Sequence, residues 1–187
     1  KIVAVGGSGG GHAVASAAML KGYDDSTDDL TINSVPNAVV LFNPVIDTSK
    51  HGFGLDRFPD AKAAKNANLI RAIARGMPPM LVMHGTADRV IPFEGSYAFC
   101  RKMARKKNKC RLIEFERQGH GFFNFNLSFE MYEATLMAMD EVLVELGFVT
   151  NPAEEAKLTT PDHQGRLAQA IYDAIVLFRQ YVEGGRR

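Results

Sequence analysis

Residues 6–11 of the chain read GGSGGG, five glycines around Ser8, between an apolar run at 2–5 and an alanine-rich stretch. A serine hydroxyl held on such a turn can attack a carbonyl carbon, provided a neighbouring base removes its proton. Two other uses of a glycine cluster between a strand and a helix fail on spacing. A dinucleotide fingerprint needs G-x-G-x-x-G, but counting from Gly7 puts His12 at the third position, and counting from Gly9 puts Val14 there. A phosphate-cradling loop needs a closing Gly-Lys-Ser/Thr, and no such triplet follows. Gly6, Ser8 and Gly10 do satisfy G-x-S-x-G, a sharp strand-to-helix turn with the serine at its tip and a helix expected from Gly10 or Gly11.

The turn explains its glycines. Crowding two residues either side of the serine leads us to expect that a Cβ at Gly6 or at Gly10 would collide with its surroundings. Ser8 then stands at a helix N-terminus, where free N–H groups and the positive dipole end favour a developing negative oxygen, and the Gly9 amide is the candidate oxyanion donor. The plain alternative is a glycine-rich turn without chemistry, against which the flanking strand and helix weigh.

A serine needs a histidine base and a carboxylate to orient it. Of the five histidines, His12 falls at the start of the elbow helix and is expected to pack beside it. His51 (SKHGFG) and His163 (TTPDHQG) lie in polar loop sequence. His84 ends the buried-type run PPMLVMHG, four residues before Asp88, and reads as a structural residue at a strand end. His120 follows an alternating strand and has glycine on both sides, which frees its loop to carry the side chain to another strand's end. The order Ser8, Asp88, His120 is the order expected when nucleophile, acid and base sit at the C-terminal ends of successive parallel strands.

Three segments in that order, VGGSGGGH, LVMHGTADRVIP and GHGFFNF, resemble the second half of an α/β-hydrolase. Within that superfamily they are similar to bacterial esterases and lipases related to acetylxylan and feruloyl esterases and to hormone-sensitive-lipase-like carboxylesterases. The similarity extends over residues 1–147, and LFNPVID at 41–47 matches the strand end that follows the elbow helix in this group. The resemblance implies an α/β fold with a mostly parallel sheet flanked by helices, and Ser8 as nucleophile, Asp88 as acid and His120 as base. It also implies more strands than the four legible here, at 2–5, 38–42, 79–83 and 110–116. The chain opens on lysine inside the strand leading to the elbow, so its N-terminal strands are expected to be missing. With them would go the loop that gives the second oxyanion N–H, and no H-G-G stands elsewhere to replace it. Losing one such donor costs about 10²- to 10³-fold in rate.

The remaining elements must position these groups. An acidic linker at 21–36 precedes the second strand, and residues 48–77 combine a loop with a helix expected over 61–75. An insertion after a strand's C-terminal end lies near the active face of an open α/β sheet, which makes this segment, with Phe53 and Phe58, the candidate substrate wall. A helix is expected over 128–146, with Met131, Leu136, Met139 and Leu143 on one stripe, and closes the domain at 147. Residues 148–187 form a linker and a last amphipathic helix with Leu167, Ile171, Ile175, Phe178 and Val182 on one face. Two uses are open to it: packing back on the sheet, or a homodimer contact.

Composition bounds the function. The 187 residues suffice for one domain with a core. A net charge of +1 gives no reason to expect nucleic acid, and no apolar run approaches the roughly 18 residues that cross a bilayer. Seven basic residues in RKMARKKNKCR, 101–111, read as the solvated outer face of a helix. Cys100 and Cys110 lie on a helix and the next strand, where a bridge would need their Cβ atoms to approach. Localisation stays open between cytoplasmic and secreted. Without H-E-x-x-H or Cys-x-x-Cys no metal is expected, and a triad hydrolase needs no cofactor, only water.

Two functions from different classes result. One is a serine carboxylesterase acting on a small ester, an acetylated or feruloylated carbohydrate among the candidates. The other is an inactive or truncated chain of the same fold with a binding or assembly role. The same fold also serves peptidases, thioesterases and dienelactone-type hydrolases; the last use cysteine where this chain has Ser8, and nothing marks a peptide-binding domain.

Overall fold

The computed structural model describes residues 2–145. The boundary expected at 147 and the helix expected between 167 and 182 lie outside the described residues. Strands β1 (Val3–Gly7), β2 (Ala38–Phe42), β3 (Met80–Gly85) and β4 (Cys110–Phe115) form one parallel sheet in the order β1-β2-β3-β4. Helices α1 (Ser8–Met19), α2 (Ala61–Asn66), α3 (Leu69–Ala72), α4 (Phe93–Arg105) and α5 (Phe129–Glu145) connect and follow them.

The apolar runs AVVLF and MLVM make the two central strands, because a parallel strand covered on both faces needs side chains that tolerate burial on both. Every residue of β2 and β3 is buried. Strand periodicity divides them between two faces. Val39, Leu41, Met80 and Val82 join Ala15 and Met19 of α1, Leu69 of α3 and Phe99 and Met103 of α4 in one core. Val40, Leu81 and Met83 are buried on the opposite face. The alanines of α1 keep that helix thin enough to lie close to the sheet.

Two strands run further than the sequence expectation at their C-terminal ends, while β4 stops at Phe115, one residue short of it. β1 continues through Gly6 and Gly7, which pair with Leu41 and Phe42, and β3 continues to Gly85, opposite Phe115. Glycine weakens a strand's local signal but still supplies the ladder's N–H and C=O. The helix expected over 61–75 is two short helices. Asp60 caps α2 by accepting from Ala63 N at 2.7 Å, and Asn68 caps α3 by accepting from Arg71 N at 3.2 Å. A side-chain acceptor at Asn68 competes with continuation of the first helix and starts the second.

Cys100 in α4 and Cys110 at the start of β4 form a disulfide with Cα atoms 5.3 Å apart. Six of the seven basic residues of the 101–111 run lie between them. Its Lys102 Nζ donates to Ile70 O at 2.7 Å, and Arg101 lies over the Tyr97 ring, 5.7 Å from its centroid.

Candidate active site

The elbow forms because β1 runs straight into α1. Ser8 has φ 55°, in the left-handed region, and is also the first residue of the helix, ahead of the start expected at Gly10 or Gly11. A non-glycine residue there carries backbone strain, which the surrounding contacts must hold. A Cβ on Gly6 would stand 2.5 Å from the Gly10 carbonyl oxygen and 2.9 Å from Gly11 N, both backbone. Crowding is therefore one-sided, and the expectation for Gly10 is corrected. A Cβ on Gly10 meets nothing within 4 Å, because its side-chain direction is outward, whereas one on Gly11 would come within 3.1 Å of Gly6 O and of Pro44 Cβ. The elbow is also tied to the loop after β2. Val45 N donates to Ser8 O at 3.2 Å, and His12 Nδ1 donates to Val45 O at 2.8 Å.

The loops after β3 and β4 are laced together. Ala87 N donates to Gln118 O at 3.0 Å, and Arg117 N donates to Thr86 Oγ1 at 2.9 Å. A Cβ on Gly85 would overlap the Gln118 carbonyl, so only glycine lets the two loops approach this closely. Asn43, immediately after β2, adds a third tie. Its φ is 40°, its N donates to Met83 O at 2.9 Å, and its Oδ1 accepts from Gly85 N at 3.1 Å. Phe123 anchors the last loop over the elbow: its ring centroid is 4.6 Å from that of Phe42, and its Cζ would stand 3.2 Å from a Cβ on Gly7.

These ties bring Ser8, Asp88 and His120 together. His120 Nδ1 donates to Asp88 Oδ2 at 2.8 Å, and His120 Nε2 lies 3.2 Å from Ser8 Oγ. With its proton on Nδ1, the neutral ring presents a bare Nε2 that accepts from the hydroxyl. The Asp88 side chain is fully buried and that of His120 is 25% exposed, so one end of the chain of bonds is dry and the other reaches solvent. Asp88 Oδ1 accepts from Val90 N at 2.8 Å and Ile91 N at 3.0 Å. Burial pushes the Asp88 carboxyl upward. The hydrogen bonds from His120, Ile91 and Val90 outweigh it, so Asp88 lies below its ordinary value.

His84 is fully buried behind this arrangement, and the other expected elements also have places. Gly9 follows Ser8 in the first turn of α1, exposed. A cavity of about 190 Å³ reaches the elbow at Gly9 and is walled by His12, Val45, Phe53, Arg57 and Phe58. Arg57 lies over the Phe53 ring, 5.1 Å from its centroid. Two larger hollows, about 350 and about 490 Å³, are lined by none of Ser8, Gly9, Asp88 or His120, so chemistry rather than size selects the smaller one. Asn43, Phe123 and Arg57 were not singled out from sequence. Asn43 alone leaves a local signal, since asparagine tolerates a left-handed backbone better than most residues. Among the described residues no group of three or more His, Cys, Asp or Glu is arranged to hold a metal ion, and no helix is long and apolar enough to cross a membrane.

The chain is similar to esterases of known structure. The structure of esterase 2 from Thermogutta terrifontis phosphoramylated by tabun superposes with a TM-score of 0.74 at 41% identity, over 81% of this chain and 57% of that one. The propionate-bound structure of the same esterase gives 0.72 at 40% identity, over 81% and 58%. Esterase LipC of Mycobacterium tuberculosis is 35% identical over 69 residues, 36% of this chain and 17% of that protein. Endo-1,4-beta-xylanase B of Butyrivibrio fibrisolvens is 28% identical over 131 residues, 65% of this chain and 20% of that one. The chain thus spans less than two thirds of the length of each. A family model described as N-acetylmuramoyl-L-alanine amidase matches residues 96–176, a stretch that contains His120 but neither Ser8 nor Asp88 and continues past the described residues.

Proposed function

We propose that this chain, whose fold and sequence match esterases of the α/β-hydrolase fold over 81% of its length, cleaves small carboxylic esters through an acyl-enzyme on Ser8. The observation that carries the reading is the continuous line Asp88, His120, Ser8, with bonds of 2.8 and 3.2 Å. Ser8 Oγ attacks the ester carbonyl carbon while His120 Nε2 takes the hydroxyl proton. Asp88 holds the ring in the Nδ1–H form and stabilises the imidazolium. The carbonyl oxygen, now negative, is met by the Gly9 N–H at the N-terminus of α1. Collapse breaks the ester C–O bond, and His120 returns its proton to the departing alkoxide. Water then attacks the acyl-serine by the same route, releasing the carboxylic acid and restoring Ser8.

The Phe53 and Phe58 wall beside Gly9 suits an acyl or aromatic group of the ester, and an acetylated or feruloylated carbohydrate fits that description. The test is hydrolysis of p-nitrophenyl acetate by the chain and by Ser8→Ala, with circular dichroism on both. Turnover that disappears in the folded variant supports the reading. A folded chain with no Ser8-dependent turnover points instead to a binding or assembly role on the same fold.

A further inference from the structure

The carboxylate of Asp88 has a second histidine on it. His84, the penultimate residue of β3, has no exposed surface. Its Nε2 lies 3.1 Å from Ile91 O and 3.3 Å from Asp88 Oδ2, the oxygen that also receives His120 Nδ1–H. On the opposite side of the ring, Nδ1 lies 2.8 Å from Ser96 Oγ of α4. The Phe93 ring meets the imidazole edge-on at 5.7 Å between centroids.

These partners fix the proton. Nε2 faces two acceptors, a carbonyl and a carboxylate, and must carry hydrogen to satisfy either. Nδ1 faces a hydroxyl, which donates to a bare nitrogen; Ser96 is buried, and its Oγ meets the ring at 2.8 Å. The neutral Nε2–H tautomer bonds Ile91 O and turns its polar N–H edge to Asp88 Oδ2, whereas the Nδ1–H tautomer would leave both oxygens facing a lone pair. Asp88 Oδ1 already takes two backbone N–H groups. Without His84, the carboxylate would keep its backbone donors on Oδ1 but lose one of the two imidazoles that flank Oδ2.

We infer that His84 is a positioning residue, whose Nε2–H, set by Ser96, fixes the Asp88 carboxylate in the orientation that aims His120 at Ser8. The inference rests on the esterase reading above for its catalytic meaning. It extends the line by two members, from Ser96 through His84, Asp88 and His120 to Ser8. The titratable groups acting on His84 are Asp88 and His120, from the loops after β3 and β4, while α4 presents the uncharged Ser96 and Phe93.

Two measurements on the chain test this. Histidine-selective ¹⁵N spectra of the wild type should show His84 as the neutral Nε2–H tautomer at about pH 8, where a histidine is neutral. Kinetics on p-nitrophenyl acetate should separate two variants. Glutamine places an amide N–H where Nε2 stands, so His84→Gln should keep kcat within about threefold of wild type. Leucine fills the space without a donor, so His84→Leu should lose about 10- to 100-fold in kcat, the scale for removing an outer partner that orients a functional group, with KM unchanged. A protonated Nδ1 in the neutral ring, a folded His84→Leu with wild-type kcat, or equal losses in both variants would overturn the inference. If Ser8→Ala abolishes turnover while His84→Leu does not, the inference alone fails. If Ser8→Ala turns over like wild type, the esterase reading falls and takes the catalytic role of His84 with it. Should His84→Leu not fold, or the chain not turn over, the ¹⁵N tautomer decides.

Discussion

Replacing Gly6 by alanine puts a methyl group against atoms that cannot give way. The nearest are Gly10 O at 2.5 Å, Gly10 C at 2.7 Å and Gly11 N at 2.9 Å, all main-chain atoms of the first turn of α1. A flexible side chain could rotate aside, but here α1 must shift as a body or β1 must leave its pairing with Leu41. Overpacking of this kind costs about 1–3 kcal/mol, and the absence of a yielding partner favours the upper end. For a domain of this size that is a fall of about 2–12 °C in Tm, at 2–4 °C per kcal/mol. Gly10→Ala is the internal control. Its Cβ would meet nothing within 4 Å, and its backbone is helical, so alanine gains helix propensity of about 1 kcal/mol. Thermal melts followed by circular dichroism should therefore move in opposite directions for the two variants, although both alter a glycine of the same G-x-S-x-G pattern. A Gly10→Ala variant destabilised as much as Gly6→Ala would refute the one-sided crowding deduced for the elbow.

Asp88→Asn should leave the fold in place and lower kcat on p-nitrophenyl acetate by about 10⁴-fold, because an amide N–H facing His120 favours the wrong tautomer; kcat of the folded variant checks it. Phe58→Ala should raise KM for benzoate or butyrate esters on the order of tenfold, the loss of a buried aromatic contact, and for acetate by less; a uniform change would remove Phe58 from the substrate wall. His84 is shifted below its ordinary value chiefly by burial, against the opposing pull of Ile91 and Asp88. An unfolded histidine takes up a proton below about pH 6.5, while folded His84 resists until lower pH, so the unfolded state binds more protons in that window and stability falls as pH drops. The slope is at most about 1.4 kcal/mol per pH unit, and it should be absent from urea melts of His84→Gln. Asp88, held below its ordinary value of 3.8, adds its own loss only at more acid pH. Serine at both Cys100 and Cys110 opens a loop of sequence separation 10, and urea denaturation should show a loss of about 2–3 kcal/mol.

Which of these features the sequence disclosed depends on how local their causes are. The elbow is local: strand, G-x-S-x-G and helix are contiguous, so Ser8 and its strained turn could be located from spacing. The identity of the crowded glycines was not, because which helix atom passes Gly6 depends on the exit angle of α1, and that angle sets Gly11 rather than Gly10 against Pro44. The break between α2 and α3 escaped for a related reason. Asn68 reads as an ordinary polar position within an apolar pattern until its side chain is seen capping a second helix and donating to Asp47 Oδ1 at 2.6 Å.

The proximity of Ser8, Asp88 and His120 spans 112 residues between its ends, yet it was legible, because parallel strands impose a rule on distant segments. Each strand's C-terminal end must emerge on the same edge of the sheet. The register makes this concrete: Gly7 pairs with Phe42, Phe42 with Met83, and Gly85 with Phe115, so the elbow and the two loops leave the sheet side by side. The histidines show where that rule stops. It brings both His84 and His120 to the correct edge, and spacing from Asp88 favours His84, four residues away. What separates them is direction. His84 is the penultimate residue of a strand buried on both faces, and its ring points into the protein between Ser96 and Ile91, where no ester can reach it. His120 sits between glycines on a loop held outside the sheet by Phe122 and Phe123, and a quarter of its side chain is open. Asp88 touches both rings through one oxygen, so the same carboxylate faces a buried imidazole and a partly open one whose Nε2 lies 3.2 Å from Ser8 Oγ.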